Sequence, residues 1–254
     1  MVDLCAVVPV YEHEFPVAGV VAALRAVGLP VLLVDDGSGP QCASALDRIA
    51  AADAGVTLVR LPVNRGKGAA VMAGFVAAAA AGHTHVLQID ADGQHDVADL
   101  PRFIADANAH PDAVICAQPV FDSSVPASRL YLRYLTHVMV WINTLSLAIR
   151  DSMCGFRVYP LQPVLQELAA HPPGRRMDFD VELLVRLHWR GMPMVWRPTR
   201  VRYPEDGVSH FRLFRDNVLI SLMHGRLFLG MIPRAAGLLA RRWRPRLGAS
   251  QVVS

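Results

Sequence analysis

The chain has 254 residues, a formal net charge of +3 and a mean hydropathy of +0.30. This length is enough for one large α/β domain that buries most of its apolar surface without disulfide bonds or a structural metal. The net charge is too small to indicate binding to nucleic acid, and the four cysteines are scattered with no C-x-x-C pair, which argues against a zinc site or a disulfide framework.

Two further features of the sequence bear on location. No stretch reaches the roughly 18 uncharged apolar residues that are needed to cross a bilayer. Asp3 stands where a signal peptide would carry basic residues, so a cytoplasmic location is the default expectation.

The first half of the chain alternates between predicted strands and predicted helices. Apolar runs predict strands at residues 4–10, 30–34, 56–61, 85–89 and 113–117. Helical spacing predicts helices at residues 16–27, 42–52, 64–81 and 98–109. This order predicts an α/β fold with a mostly parallel sheet that is covered by helices on both faces.

The second half is mainly helical. We predict a long helix over residues 127–149, a short segment at 151–159, and then two helices, the second at 178–191. A strand at 194–201 precedes one or two helices over 211–243 that are broken at Pro233. We therefore expect a main domain over residues 1–210 and a helical, basic C-terminal extension over residues 211–254.

Polar residues cluster at the carboxyl ends of the predicted strands, where open α/β sheets bind their ligands. The clusters are residues 9–12, 35–38, 64–68 and 90–94. Asp90 and Asp92 leave their strand two positions apart, so both carboxylates can turn toward one hard divalent cation. Such an ion would neutralise a diphosphate and act as a Lewis acid for its departure. The alternative is a polar turn whose aspartates cap the next helix.

Residues 64–68 (NRGKG) supply two cations and two glycines at the start of a helix, a natural place for a phosphate group. The segment is not a Walker motif, since Gly68 replaces the required Ser or Thr. A solvated helix start is the alternative. No G-x-G-x-x-G follows the first strand, which argues against a Rossmann dehydrogenase.

These clusters together resemble the successive motifs of the family 2 inverting glycosyltransferases. The matching segments are residues 8–12 (VPVYE), 34–38 (VDDGS), 64–68 (NRGKG) and 90–95 (DADGQH). Within that family the chain is most similar to the dolichyl-phosphate-mannose synthase-like branch. The likeness continues through residues 151–157, 178–182 and 207–210, and so covers roughly residues 4–215.

The resemblance implies a GT-A (Rossmann-like) fold and a nucleoside-diphosphate sugar donor. It implies a donor site made of Pro9, Tyr11, Asp36, Lys67, Asp90, Ala91 and Asp92. Within that set, the first three would hold the base and ribose, and Lys67 would stay near the donor or support the nucleotide loop. Asp90, Asp92 and Gln94 would hold Mg²⁺ or Mn²⁺ with the diphosphate.

The resemblance also implies how the acceptor is held. Arg129, Arg133 and Arg202 match arginines expected to grip the acceptor phosphate or the diphosphate, a task that the guanidinium fork suits. Without the resemblance, Arg129 and Arg133 would be interpreted as a solvated helix face.

The need for a catalytic base depends on the acceptor, because an acceptor phosphate is already an anion whereas a hydroxyl must lose a proton. Asp151 and Glu182 are the candidate bases, with Asp180 behind them. Glu182 lies on an apolar helix where burial would raise its pKa; the alternative is an ion pair with Arg186, one turn away. His95 either lines the acceptor side or merely starts a helix.

Three departures from the family pattern bear on this interpretation. Glu12-His13 stands where Asn-Glu is usual, His210 replaces a common lysine, and the paired membrane-spanning helices of many relatives are missing at the C-terminus. The residue 211–243 region is expected either at the membrane interface or as a helical cap over the core.

The sequence thus predicts a metal-dependent inverting glycosyltransferase at the inner face of the cytoplasmic membrane, with a lipid-linked, polyprenyl phosphate-like or other hydrophobic acceptor. The first alternative is transfer to a soluble hydroxyl acceptor. A non-catalytic membrane-associated scaffold is disfavoured by the intact Asp90, Asp92 and Gln94 set, and a sugar-1-phosphate nucleotidyltransferase by the first strand, which no glycine- and arginine-rich loop follows.

Overall fold

A computed structural model describes the backbone of residues 1–121, 127–201 and 213–243. Seven strands form one sheet in the order β3-β2-β1-β4-β6-β5-β7. They are β1 Leu4–Val10, β2 Val31–Asp35, β3 Val56–Arg60, β4 His85–Gln88, β5 Val114–Phe121, β6 Arg157–Pro160 and β7 Met194–Val201. All strands run parallel except β6, which pairs antiparallel with both β4 and β5.

Helices cover both faces of this sheet, as predicted. They are α1 Val17–Ala26, α2 Pro40–Ala52, α3 Lys67–Ala80, α4 Leu100–Ala109, α5 Ala127–Thr144, α6 Leu161–Ala170, α7 Phe179–Trp189, α8 Leu213–Met231 and α9 Ala235–Trp243. Buried side chains of α3, α6, α7 and α8 share one apolar cluster with the sheet, which we name the α3-side core. Those of α1, α2 and α4 share the other, the α1-side core.

The two cores follow from the strand sequences. Every residue of β1 is buried, and its side chains alternate between the faces: Cys5 and Val7 enter the α3-side core, whereas Ala6 and Val8 enter the α1-side core. The four cysteines are free and buried. Cys116 joins Cys5 in the α3-side core, while Cys42 and Cys154 lie in the other.

Strand β6 was not predicted, because its four residues (RVYP) place an arginine within a buried sheet and show no apolar run. Its insertion between β4 and β5 has a consequence for the site. Since β6 is antiparallel, its first residue, Arg157, pairs with Gln88 near the carboxyl end of β4. The loop that precedes β6 therefore lies at the same edge as the polar clusters.

The helical boundaries differ from the prediction at α5, which ends at Thr144 rather than near residue 149. The Thr144 hydroxyl donates to the Val140 carbonyl at 2.8 Å, and Leu145 adopts a left-handed conformation with φ of 50°. The predicted break at Pro233 is observed as a 3-10 turn, Ile232–Arg234, between α8 and α9. None of the helices in the described part of the chain is both long and apolar enough to span a membrane.

Candidate functional site

The loop after β2 holds the loop before α3 through one carboxylate. Asp36 is buried, and its two oxygens accept hydrogen bonds from the backbone N–H groups of Arg65 and Gly66, both at 2.7 Å. Burial raises the pKa of the Asp36 carboxyl above its ordinary value, and the two N–H donors offset part of that effect. Gly66 has a φ of 101°, which glycine adopts without strain. Asp36 therefore fixes the backbone of the loop before α3.

The loop after β1 is tied to the start of α2. Glu12 has a positive φ of 54°, and its N–H donates to the Ser38 hydroxyl at 3.3 Å. Its carboxylate accepts from the Gly39 N–H at 2.6 Å and so caps the N-terminus of α2. Pro9 is buried in β1, and Tyr11 lies half-buried in this loop. The Glu12 departure from the family pattern thus has a structural use as a helix cap.

The centre of the site is an ammonium group between two carboxylates. Lys67, the first residue of α3, places its Nζ atom 2.7 and 2.9 Å from the two oxygens of Asp90. The same Nζ lies 2.9 Å from Oδ2 of Asp180, at the start of α7. Burial favours the neutral amine, but the two carboxylates outweigh it, so the pKa of Lys67 is raised above its ordinary value. Lys67 therefore stays positively charged.

The pKa values of the two aspartates of the D-x-D segment are shifted in opposite directions. Burial opposes ionisation of Asp90, but the charge of Lys67 and the contact with His95 outweigh it and hold the pKa of Asp90 well below its usual range. Burial and the negative charge of Asp90 raise the pKa of Asp92. The Asp92 carboxylate accepts from the Gln94 N–H at 3.0 Å, which fixes the turn after β4. A divalent cation would relieve the repulsion between these carboxylates.

The loop before β6 leaves room at the Asp90 carboxylate. A Cβ atom added at Gly155 would lie 2.6 Å from both Asp90 oxygens, so a larger residue would require the carboxylate or the loop to move. His95 Nε2 lies 3.8 Å from Asp90, and the imidazole packs against the Phe156 ring at 5.6 Å between centroids. This cradle and the oxygen donors of Asp90, Asp92 and Gln94 fit a hard cation. No group of three or more His, Cys, Asp or Glu side chains forms a complete metal site among the described residues, so the diphosphate would have to supply further ligands.

A buried polar network behind the site was missed by the sequence analysis. Asp180 accepts from the Gln88 side-chain amide at 2.8 Å, and its carbonyl accepts from Arg157 at 3.0 Å. Arg157 is fully buried, and its Nη1 also donates to the Tyr159 hydroxyl at 3.1 Å. A signal was present at Gln88, since a glutamine within an apolar run indicates buried polar pairing, whereas Arg157 lies in no such run. The network holds Asp180 against the sheet.

Of the predicted acceptor-binding arginines, the structure describes the side chain of Arg133. Arg133 Nε donates to Asp151 at 2.8 Å, and its guanidinium lies 5.0 Å from the centroid of the Phe121 ring. Asp151 is buried and also accepts from the backbone N–H groups of Met153 and Cys154. The structure thus pairs the predicted base with a predicted acceptor arginine. The Arg129 side chain, Arg202 and His210 lie outside the described residues.

Glu182 lies in an ion-pair cluster with Arg186 and Arg226. Its Oε1 contacts Arg186 at 2.7 Å, and its Oε2 contacts Arg226 at 3.0 Å and accepts from the Gly174 N–H at 2.9 Å. Its side chain is 1% exposed. Both oxygens therefore have partners, including the Arg186 of the alternative interpretation, and the Arg226 contact joins α7 to α8.

Comparisons with known proteins show that the chain is similar to glycosyltransferases. The family model described as Glycosyl transferase family 2 matches residues 5–164, more than half of the chain. The polyprenol monophosphomannose synthase of Mycolicibacterium smegmatis is 28% identical over 183 residues, 70% of this chain and 69% of that protein. A dolichyl-phosphate beta-glucosyltransferase of Dictyostelium discoideum is 27% identical over 166 residues, 61% of this chain and 49% of that protein.

A solved structure shares the fold. Glucosyl-3-phosphoglycerate synthase from Mycobacterium tuberculosis, in complex with Mn²⁺ and UDP-glucose, matches with a TM-score of 0.61 and 15% identity over 92% of this chain and 79% of that chain. This likeness confirms the predicted GT-A fold. The match of the family model over residues 5–164 establishes that the chain belongs to glycosyltransferase family 2 and is a glycosyltransferase.

Proposed function

We propose that this enzyme transfers a sugar, with inversion, from a nucleoside-diphosphate sugar to a phosphate group carried by a lipid. The observation that carries the proposal is the Asp90 site at the carboxyl edge of the sheet, where Lys67 and the D-x-D carboxylates meet. Asp36, Tyr11 and Pro9 would line the base and ribose side of the donor.

The donor's diphosphate would need positive charge at this site. Asp90, Asp92 and Gln94 would hold Mg²⁺ or Mn²⁺, which supplies charge neutralisation for the departing diphosphate. The solved enzyme with Mn²⁺ and UDP-glucose, which shares this fold, favours that assignment. Lys67 lies beside Asp90, and together with the preceding loop at residues 64–66 it would contact the phosphates from the start of α3.

The three candidate bases bear on the nature of the acceptor, because a hydroxyl acceptor would need one of them to be free to take a proton. Asp151 is buried and accepts hydrogen bonds from three residues, the guanidinium of Arg133 and the backbone N–H groups of Met153 and Cys154. Glu182 is ion-paired through both oxygens, and Asp180 is paired with Lys67. A carboxylate so engaged is a poor proton acceptor, whereas a phosphate acceptor needs no base at all. The geometry therefore favours an anionic acceptor, and Arg133 would turn from Asp151 to receive it.

A lipid carrier is favoured by the surface next to Arg133. Large apolar side chains are exposed along α5 and α8, which contact each other: Tyr131, Tyr134, Leu135, Ile142, Leu222, Phe228 and Leu229. Such a face, with arginines nearby, is typical of helices that lie in a membrane interface rather than crossing it. The polyprenol and dolichyl-phosphate sugar transferases among the relatives point the same way. The enzyme would then act at the inner face of the cytoplasmic membrane.

A soluble phosphorylated acceptor is the second candidate. The solved glucosyl-3-phosphoglycerate synthase that shares this fold was also obtained with phosphoglyceric acid. Such an acceptor would use the same Arg133 contact but would leave the apolar face of α5 and α8 unexplained.

The test has two steps. Thermal shifts with UDP-, GDP-, CDP- and dTDP-sugars, each with and without Mn²⁺, identify the donor, since a ligand at about 100 times its Kd adds roughly 2.7 kcal/mol of stability. Transfer is then compared between a polyprenyl phosphate in vesicles and 3-phosphoglycerate in solution. Transfer to the polyprenyl phosphate alone agrees with the proposal; transfer to 3-phosphoglycerate alone favours the second candidate. No shift with any nucleotide would contradict the donor assignment.

A further inference from the structure

Lys67 is the single lysine of this chain, which has 25 lysine and arginine residues in all. Every other strong cation is an arginine, whose planar fork favours fixed, paired hydrogen bonds. A lysine ammonium is instead a compact point charge on a flexible stem, and it can exchange one anionic partner for another with a small movement. The one position with this property lies at the Asp90 carboxylate.

The Lys67 ammonium lies where a divalent cation at Asp90 would also have to bind. Its Nζ lies within 2.9 Å of both Asp90 oxygens, so it contacts the carboxylate from the side that carries the lone pairs. The Lys67 side chain is only 17% exposed, and water therefore screens its charge weakly. An ammonium and a divalent cation on one carboxylate would repel each other strongly in this environment.

Asp180 gives the ammonium a second anion that does not belong to the D-x-D segment. Its Oδ2 is 2.9 Å from Nζ, and its position is fixed by Gln88 through the side chain and by Arg157 through the carbonyl. These two partners are themselves buried in the sheet. Lys67 can therefore leave Asp90 without losing its ion pair with Asp180.

We propose that the Lys67 ammonium and the divalent cation compete for Asp90, and that the donor's diphosphate relieves the competition by giving Lys67 a new anion. The metal and the nucleotide then bind cooperatively, and the cation is held weakly until the donor arrives. Asp180 is a positioning residue, because it retains Lys67 beside the site. This inference rests on the proposed function, since it assumes a donor with a diphosphate.

The test is Mn²⁺ binding, followed by the electron paramagnetic resonance signal of the free ion, for wild type and Lys67→Met, with and without UDP or GDP. We expect Lys67→Met to bind Mn²⁺ alone about tenfold more tightly than wild type. We also expect the nucleotide to raise Mn²⁺ affinity several-fold in wild type, within the range of about 5- to 150-fold that is usual for coupled sites, and far less in the variant. Arg48→Met, which removes one positive charge from an exposed position of α2, is the matched control.

The outcomes separate this inference from the proposed function. Equal or weaker Mn²⁺ binding by Lys67→Met overturns the competition, even if nucleotide-sugars still bind wild type in a metal-dependent way. Tighter Mn²⁺ binding without any nucleotide effect supports the competition and overturns the cooperativity. A general loss of charge would produce the same change in Arg48→Met.

A second measurement uses wild-type protein, in case Lys67→Met does not fold. Lysine labelled with ¹³C and ¹⁵N gives one lysine side-chain signal in this chain, and that signal reports on Lys67 alone. We expect saturating Mg²⁺ with UDP or GDP to shift the signal, as the ammonium exchanges Asp90 for the diphosphate. An unchanged signal at saturation, with binding verified separately, would rule out the exchange.

Discussion

Two opposing effects act on the ionisation of the Asp90 carboxylate. Burial raises its pKa, but Lys67 and His95 outweigh burial and lower it, and the negative charge of Asp90 in turn raises the pKa of Asp92. Gly155 controls the space on the other side of the same carboxylate. Small changes at these positions should therefore alter cation binding before they alter the fold.

The variant Asp92→Asn tests whether the D-x-D segment binds the divalent cation. We expect the variant to lose the Mn²⁺-dependent part of the nucleotide-sugar thermal shift, because the amide offers a neutral ligand where the cation needs a charged one. Loss of binding would remove up to about 2.7 kcal/mol of ligand stabilisation at a concentration of 100 times Kd. The apo melting temperature should stay near that of wild type. Full transfer activity in Asp92→Asn would exclude the metal role.

Gly155→Ala tests the space beside Asp90. The new Cβ would come within 2.6 Å of both carboxylate oxygens, so either Asp90 or the loop before β6 must move. We expect at least a tenfold loss of Mn²⁺ affinity, which corresponds to about 1.4 kcal/mol. Gly19→Ala is the control, since its Cβ would meet nothing within 4 Å in α1, and there alanine should stabilise the helix by up to about 1 kcal/mol. Unchanged Mn²⁺ affinity in Gly155→Ala would show that the loop moves instead, and that the space beside Asp90 does not control cation binding.

At the scale of elements, the C-terminal helices are joined to the sheet by both apolar and ionic contacts. Met223, Leu227 and Met231 of α8 lie in the α3-side core, and Trp189 donates its indole N–H to the Asn143 carbonyl between α7 and α5. Arg226 of α8 reaches Glu182 of α7. The described part of the C-terminal extension is thus packed as part of the main core.

Glu182→Gln distinguishes a structural role from a catalytic one. The variant keeps the size of the side chain but leaves Arg186 and Arg226 without their anion, so we expect a loss of about 1–3 kcal/mol of unfolding free energy. Transfer activity of the folded fraction should be close to wild type, measured below the lowered melting temperature. A wild-type melting temperature with kcat reduced a hundredfold or more would instead restore Glu182 as the base.

The sequence predicted elements well where a local pattern specifies them. β1 and β7 were found with their observed ends, because they are long runs bounded by turn residues. β6 was missed, since its strand character comes from pairing with β4 and β5 rather than from its own four residues. The premature end of α5 depends on a single left-handed residue, Leu145, for which the sequence gives no warning.

The prediction of site residues likewise succeeded where a local motif specifies them and failed where distant contacts do. Motif positions gave the residues at the strand ends, and the structure brings Lys67, Asp90 and Asp180 together. The partner of Gln88, Asp180, is 92 residues away in sequence, and Arg133, a partner of Asp151, lies on another element 18 residues away, so residue type alone could not assign them. The catalytic roles of Asp151, Glu182 and Asp180 remain predictions, as do the acceptor-binding roles of Arg129, Arg133 and Arg202.

For the whole molecule, the junction of α5, α7 and α8 should govern acid stability. His224 is buried there, its Nδ1 lies 3.1 Å from the Asn143 amide, and burial lowers the pKa of its imidazole from 6.5 to about 4. The unfolded chain therefore binds a proton between about pH 6.5 and pH 4 that the folded chain excludes, and stability falls as the pH falls through this window.

His224→Gln should flatten part of that dependence. The shift corresponds to about 3 kcal/mol between neutral pH and pH 4, so the variant should lose less stability than wild type over the same interval. Urea unfolding at pH 7.5, 5.5 and 4.0 measures the difference. Parallel pH profiles for the two proteins would show that acid lability arises elsewhere.

The placement of the four thiols makes the chain a reporter of its own unfolding. Burial raises the pKa of Cys5, Cys116 and Cys154 to about 12, and it also raises that of Cys42, so alkylating reagents should modify none of them while the core is closed. Two thiols belong to each core. Pulsed alkylation read by mass spectrometry would therefore show, without any engineered probe, whether the two layers of the molecule open together or one after the other.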